Sequence, residues 1–458
     1  MRPLSTEAPT APPTDPALDR ATEINSLALQ AYVYGYPLVA LERTRRLLTS
    51  KDLPIGVPVN TFLHVDRLMT PRSREVVKPN NDTLYSSAFL DLRSGPLLLD
   101  VSDTRGRYYS LTLFDAYTNA FAYVGRRTTG TRAGRYVITG PGRHGPLPDL
   151  PVLAAATDSV WLLGRTLVDG PDDLDAAGDT IRRYALTTLQ GTPPPSAPHE
   201  GAVLSPQGLG TCGIGFFDEM CAGLALNPPP ATDQPVLDRI GRLGLGPGRV
   251  PSREVTDPVV RAALATVGVS GDALLNLPPG APGDVTGRGA ARHNGWSYHL
   301  NTGSYGQCHL VRAGIALQGL GAVHPEEALY VTARTDPLGR SLDGGRRYLL
   351  RFEPGRLPPV DAFWSLTAYD HEQYLIDNPL GRYSLGDRTP GLVYSDDGSL
   401  EVRIQHEEPE GGPSNWLPVG PDRFELTVRC YQPHAPLLDG RYLLPPLVVL
   451  DEDPRDRR

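Results

Sequence analysis

Residues 108–117 read YYSLTLFDAY, and residues 363–372 read FWSLTAYDHE. Ser110, Leu111, Thr112 and Asp115 of the first recur as Ser365, Leu366, Thr367 and Asp370 of the second, 255 positions on. Trp161 in VWLLGRTLV and Trp416 in NWLPVGPDRFELTV share that offset, and TLYSSA at 83–88 matches ALYVTA at 328–333 with a gap. Short alternating or β-branched runs separated by Gly and Pro surround both stretches, which is the pattern of antiparallel strands. A repeated β texture predicts a duplicated unit. The fold class expected is α+β: two related antiparallel domains of β-sandwich or β-roll type, an N-terminal helix pair, and a helical connector between the domains.

The texture places the boundaries. Residues 1–20, rich in Pro and Thr, read as a disordered tail. Residues 21–170 hold the N-terminal helices and the first β domain, 171–328 a mostly helical connector, 329–450 the second β domain, and 451–458 a charged tail. Residues 17–50 are rich in helix formers, but YVYGYPLV contains Gly35 and Pro37, and Pro removes a backbone donor. Two helices or one kinked helix are expected there. Further helices are expected within 172–189, 206–226, 235–245, 257–267 and 309–323.

Composition narrows the functional classes. The chain has 458 residues and a net charge of −8, which disfavours a nucleic-acid partner. Lys51 and Lys78 are its two lysines; the remaining basic residues are arginines, which bind carboxylates and phosphates through two parallel bonds. The N-terminus lacks the apolar core of a secretory signal, and no run of about 18 apolar residues suggests a membrane span. The expected location is cytoplasmic, without a membrane partner. Cys212, Cys221, Cys308 and Cys430 show no metal or disulfide framework, although a Cys212–Cys221 bridge stays open. GxSxG, GxxxxGK[ST] and a strand-borne GxGxxG are absent. No cofactor and no metal are expected.

Candidate chemistry gathers in three places. KPNNDTLYS, residues 78–86, offers Lys78, Asn80, Asn81, Asp82 and Tyr85 at a strand entrance. FDAYTN, residues 114–119, places Asp115, Tyr117 and Asn119 on one face of an expected strand. The connector adds Trp296, Tyr305 and His309, and the first helix adds Tyr34 and Tyr36. Asp82 or Asp115 would act as base, with Tyr85 in the catalytic set and the others binding. The function expected is a cofactor-independent enzyme using acid–base chemistry on a small molecule, of hydrolase, lyase or isomerase type, as in biosynthetic tailoring. The alternative is a non-catalytic binding module for a carbohydrate or other polar ligand. A small-molecule partner and a homo-oligomer fit either reading.

AYVYGYPLV, KPNNDTLYSSAFLDL, GRYYSLTLFDAYTNAF and VWLLGRTLVDG resemble domain-of-unknown-function family 1254. NTGSYG, HLVRAGIALQGLGA, LPPVDAFWSLTAYD and NWLPVGPDRFELTVRCYQP resemble its usual partner, family 1214. The resemblance spans about residues 25–170 and 295–450 and implies an architecture more than an activity. Members of this pair are often envelope or secreted proteins. Gln307, Cys308 and His309 in YGQCHLVRA depart from the family's YGxDYLxRA pattern.

Overall fold

A computed structural model describes residues 16–74, 78–142, 145–277 and 291–450. Residues 1–15 and 451–458 of the expected tails lie outside it, while residues 16–20 already form the start of a helix.

Nine strands build the first β domain: β1 (Leu63–Val65), β2 (Thr83–Asp91), β3 (Leu97–Val101), β4 (Tyr109–Phe114), β5 (Ala120–Gly125), β6 (Gly134–Thr139), β7 (Val152–Ala154), β8 (Ser159–Leu167) and β9 (Ala185–Thr188). They form two sheets, β1-β2-β8-β4-β5 and β7-β6-β3-β9. After an added edge strand, β10 (Ala291–His293), nine more follow: β11 (Trp296–Tyr298), β12 (Ala328–Ala333), β13 (Tyr348–Phe352), β14 (Val360–Asp370), β15 (Ser384–Gly386), β16 (Leu400–Gln405), β17 (Trp416–Pro418), β18 (Phe424–Pro433) and β19 (Leu447–Val449). Their sheets run β10-β11-β12-β18-β14-β15 and β17-β16-β13-β19. Adding ten to each strand number converts the first domain into the second. Even the parallel pair β6–β7 recurs as β16–β17.

Each domain is a sandwich with its own core. Leu84 and Leu90 of β2, Leu111 and Leu113 of β4, and Leu162 of β8 meet Leu97, Leu99 and Ile138 of the smaller sheet. Leu329, Val331, Leu366, Leu426 and Val428 do the same with Leu350 and Ile404 in the second domain. Burying each such side chain is worth about 1.5–3 kcal/mol. The opposite faces of the two large sheets are buried too: Phe89, Phe114, Trp161, Phe363 and Tyr431 form a third cluster joining the domains. Hence β4 and β18 are buried along their whole length.

The structure corrects the equal-offset reading of the tryptophans. Arg165 of β8 lies opposite Ser110, and Arg429 of β18 lies opposite Ser365. Trp161 is therefore equivalent to Glu425, while Trp416 opens β17 in the smaller sheet. The offset between copies is 245 at β2 and β12, 255 at β4 and β14, and 264 at β8 and β18. Loop insertions change it, so no single shift aligns the chain.

The expected helix pair is one helix, α1 (Pro16–Thr49), with Pro37 inside it. Every residue from Ala31 to Leu41 is buried, and that burial outweighs the roughly 3 kcal/mol that an internal proline costs. By contact density the chain divides into two compact units: residues up to Tyr36 with Gly208–Leu274, and Pro37–Gln207 with Leu275–Arg458. The first is helical: the start of α1 with α3 (Gly215–Leu226), α4 (Gln234–Gly241), α5 (Pro251–Glu254) and most of α6 (Pro258–Leu275). Gly35 serves packing there, because a Cβ on it would lie 2.4 Å from Met220 Sδ of α3. By length and composition α6 could cross a membrane. It carries Arg261 and Asp272, however, and buries Val260, Ala263, Leu264 and Val267.

Within the expected connector, 172–189 starts as a helix, α2 (Leu174–Ile181), but ends as β9. Ala185–Thr188 carries two β-branched residues and pairs with the edge of β3. Another short helix, α8 (Ala435–Leu438), takes the place of α2 in the second domain, and α7 (His309–Gly319) precedes β12.

Candidate functional site

The two large sheets meet through polar groups that repeat across the pseudo-symmetry. Asp82 stands just before β2 and Glu327 just before β12. Their carbonyls accept from equivalent donors, Val168 N at 3.0 Å and Gln432 N at 2.9 Å. Both side chains cross to the other domain. Asp82 accepts from Arg388 Nη2 at 2.8 Å and Ser365 Oγ at 2.7 Å. Glu327 accepts from Arg127 Nε at 2.7 Å and Tyr108 Oη at 2.8 Å. Arg127 and Arg388 each lie two residues past equivalent glycines, Gly125 and Gly386, which oppose Ser110 and Ser365. Such reciprocal contacts are those of an isologous dimer, here within one chain. The carboxylates are 4% and 2% exposed, and removing one partner from a buried pair costs about 3–5 kcal/mol.

The Asn-Asn-Asp turn is the clasp on one side of this joint. Asn80 Nδ2 donates to Thr83 Oγ1 at 2.7 Å and to Tyr431 Oη at 3.0 Å, and its Oδ1 accepts from Asp82 N at 2.5 Å. Asn81 Nδ2 donates to Met69 O at 2.9 Å. Lys78 Nζ pairs with Glu425 at 2.6 Å, and Arg334 reaches the same carboxylate at 2.8 Å. Burial pushes the Glu425 carboxyl upward, but the two cations more than offset it and hold it below its ordinary range. Tyr369 Oη donates to Pro79 O at 2.8 Å.

Two buried arginines occupy equivalent places in this joint and differ in their bonding. Arg429 lies opposite Tyr330 and Ser365, and Arg165 opposite Tyr85 and Ser110. Arg429 donates to Thr367 Oγ1 at 3.0 Å, Tyr369 Oη at 2.5 Å and Lys78 O at 3.0 Å. Arg165 donates through Nη2 to Gly321 O at 3.1 Å, while its buried Nη1 has no partner among the described residues. No carboxylate pairs with Arg165 there, although it is only 7% exposed. Its surroundings are tyrosines: the Tyr85 ring lies 5.9 Å away, and Tyr108, Tyr330 and Tyr431 are near enough to interact electrostatically. Tyr85 and Tyr330 are half-buried.

A cleft of about 510 Å³ opens along the seam of the two domains, lined by Arg107, Arg126, Leu167, Asp361 and Ala362 among others. Tyr108 belongs to its wall as well as to the surroundings of Arg165.

Residues 59–188 match the family model DUF1254, and residues 327–435 match DUF1214, each described as a protein of unknown function. The chain is a DUF1254–DUF1214 paired-domain protein. The crystal structure of the VPA0106 protein from Vibrio parahaemolyticus is similar over 93% of this chain and 100% of that one, at 24% identity and a TM-score of 0.68. That likeness is one of fold. An uncharacterised protein from Burkholderia cenocepacia aligns over 96% of this chain and 91% of its own at 14% identity and a TM-score of 0.44. No curated protein matches the sequence.

In this paired-domain protein the remaining candidate residues fall elsewhere. Asp115 does not share a strand face with Tyr117 and Asn119, because β4 ends at Phe114. The carboxylate of Asp115 builds a turn, accepting from Tyr117 N, Asn119 N and Asn119 Nδ2, each at 2.9 Å. Burial raises its pKa despite these donors. Arg312 lies 5.7 Å from the Tyr117 ring and interacts with Asp115, Tyr305 and His309, so the turn and the start of α7 form one cluster. Trp296 is core, its Nε1 donating to Pro445 O at 2.8 Å. Tyr34 donates to Asp233 at 2.9 Å and Tyr36 packs edge-on against Tyr32, both in the helical unit.

Arg165, Arg429, Glu327, Arg127, Arg388, Tyr108 and Tyr330 escaped the sequence reading. Aligning the copies strand by strand, with a separate offset for each strand, is the signal that exposes them. The four cysteines stand as thiols. Among the described residues no group of three His, Cys, Asp or Glu side chains is placed to hold a metal ion.

Proposed function

We propose that this protein binds a small anionic molecule, a carboxylate foremost, at Arg165 between its two β domains. The observation that carries the reading is the buried Arg165 guanidinium with an unpartnered Nη1 and no carboxylate at hand. A buried charge without a partner is costly, and a bound carboxylate would accept from Nη1 and remove that cost. Tyr85 and Tyr330 stand beside it as further donors, and Tyr108 is shared with the wall of the seam cleft. Charge-assisted bonds of this kind contribute about 1.5–3 kcal/mol each.

Binding is placed ahead of turnover by Asp82 or Asp115, because both carboxylates already accept from fixed donors. The acid–base reading keeps one support. Desolvation pushes the Asp387 carboxyl, next to Arg388, up to about 6, which suits proton transfer near neutral pH.

Isothermal titration with acetate, succinate and benzoate tests the proposal. At least one should bind the wild-type protein, and Arg165→Met should abolish that binding while the protein stays folded. Equal binding by the variant, or none by the wild type, would remove the proposal's basis.

A further inference from the structure

Ser304, His324 and Tyr123 form a chain of hydrogen bonds at the end of the loop that carries Gly321 O, the acceptor of Arg165, and Arg165 is near enough to Tyr123 to interact with it electrostatically. Ser304 Oγ lies 2.8 Å from His324 Nε2, and His324 Nδ1 lies 2.7 Å from Tyr123 Oη. The histidine is fixed from both sides: its N–H donates to Tyr123 Oη at 2.9 Å, and its carbonyl accepts from Glu327 N and Ala328 N. Ser304 is exposed on NTGSYG. The loop is pinned where Gly303 O accepts from Ala120 N at 2.7 Å. Gly303 has φ 88°, and a Cβ there would lie 2.7 Å from the His324 backbone nitrogen and ring, so only glycine lets the ring approach the serine. In the other half of the molecule Pro79 and Ser384 take the places of His324 and Tyr123. The duplicated architecture therefore does not require this chain of bonds.

We propose that Ser304 is a nucleophile for acyl transfer from small esters, with His324 as its general base and Tyr123 positioning the imidazole. Both distances fall in the range of a nucleophile, its base and an orienting third group. With the proton on Nδ1 donated to Tyr123 Oη, Nε2 faces the serine hydroxyl as acceptor. Ser304 Oγ attacks the ester carbonyl carbon while Nε2 takes the hydroxyl proton. The carbonyl–alkoxide bond breaks, and the alcohol leaves with that proton. Water, deprotonated by Nε2, then cleaves the acyl-serine to a carboxylic acid and free Ser304. The N–H groups of Tyr305 and Gly306, which donate to no loop or turn carbonyl among the described residues, are the donors next to the nucleophile for the oxyanion. Burial lowers the imidazole pKa; Arg127 lowers it further and Glu326 raises it. The base is thus neutral at physiological pH.

A fluorophosphonate probe tests this on the full-length protein, with the adduct followed by intact mass and peptide mapping. The probe's P–F bond breaks as the serine O–P bond forms. Wild type should gain one adduct at Ser304, at a rate that rises with pH and levels off below the usual histidine range. Ser304→Ala should gain none while melting as wild type does. His324→Gln should react about 100-fold more slowly or worse, and Tyr123→Phe about 10-fold more slowly with a displaced pH midpoint. An unlabelled wild type, or a His324→Gln protein that reacts at the wild-type rate, would overturn the proposal and reduce the three residues to a structural tie.

Discussion

Arg165 and Arg429 occupy the same position in two copies of one domain, yet Arg429 has both terminal nitrogens bonded and Arg165 has one. Around Arg429, the Lys78–Asn80 turn, Tyr369 and Thr367 supply fixed acceptors. At Arg165 the preceding turn is replaced by the His324–Glu327 turn, and a single carbonyl, Gly321 O, accepts. A duplication repeats the skeleton, and its two halves need not repeat the polar filling. Arg429 reads as a fastener, and Arg165 as a group prepared for something the chain does not supply.

The first way to break this comparison is to cut the reciprocal carboxylates. Asp82→Asn and Glu327→Gln should each lower unfolding stability by about 3 kcal/mol, because each strands an arginine in the joint. Their effects should add in the double variant, since they share no partner. Urea denaturation of the three variants checks this, and a strongly asymmetric pair would break the two-fold picture. A smaller effect sharpens it. Tyr108→Phe copies Phe363, its equivalent, and removes one donor to Glu327; a loss of about 1 kcal/mol is expected by the same measurement.

Proton linkage sharpens the picture at two carboxylates of the second domain. Glu425 has a depressed folded pKa, so its stabilisation is present above the unfolded value and is lost as pH falls through the folded one. Melting temperature should therefore drop on acidification below the ordinary glutamate range, and Glu425→Gln should flatten that drop. Asp387 has the opposite sign: raised to about 6, it favours the folded state more as pH falls from above 6 toward the usual aspartate range. Asp387→Asn should erase a slight gain in melting temperature across that window, the smallest effect of the set.

Much of the architecture was legible in the chain. Ser-Leu-Thr at 110–112 and 365–367 marked equivalent strands, and the Gly/Pro-punctuated texture marked both sandwiches. The arginines were hidden because loop insertions move the offset from 245 to 264 along the repeat, while the matching offset of Trp161 and Trp416 pointed to strands in different sheets. Pro37 left two helices or one kinked helix open, and burial along residues 31–41 favours the single helix. The Asn-Asn-Asp turn was legible as a cluster of polar side chains at a strand entrance. Its partners, Arg388, Ser365 and Tyr431, lie about 280 to 350 residues away in sequence, beyond any local pattern.

The most direct test compares Arg165→Met with Arg429→Met by urea denaturation without added ligand. Arg429→Met should lose about 3 kcal/mol, since several buried groups lose their donor. Arg165→Met should stay within about 1 kcal/mol of wild type or gain stability, since a buried unpaired charge is removed at similar volume. Equal, large losses in both variants would make Arg165 a fastener like its twin and contradict the account.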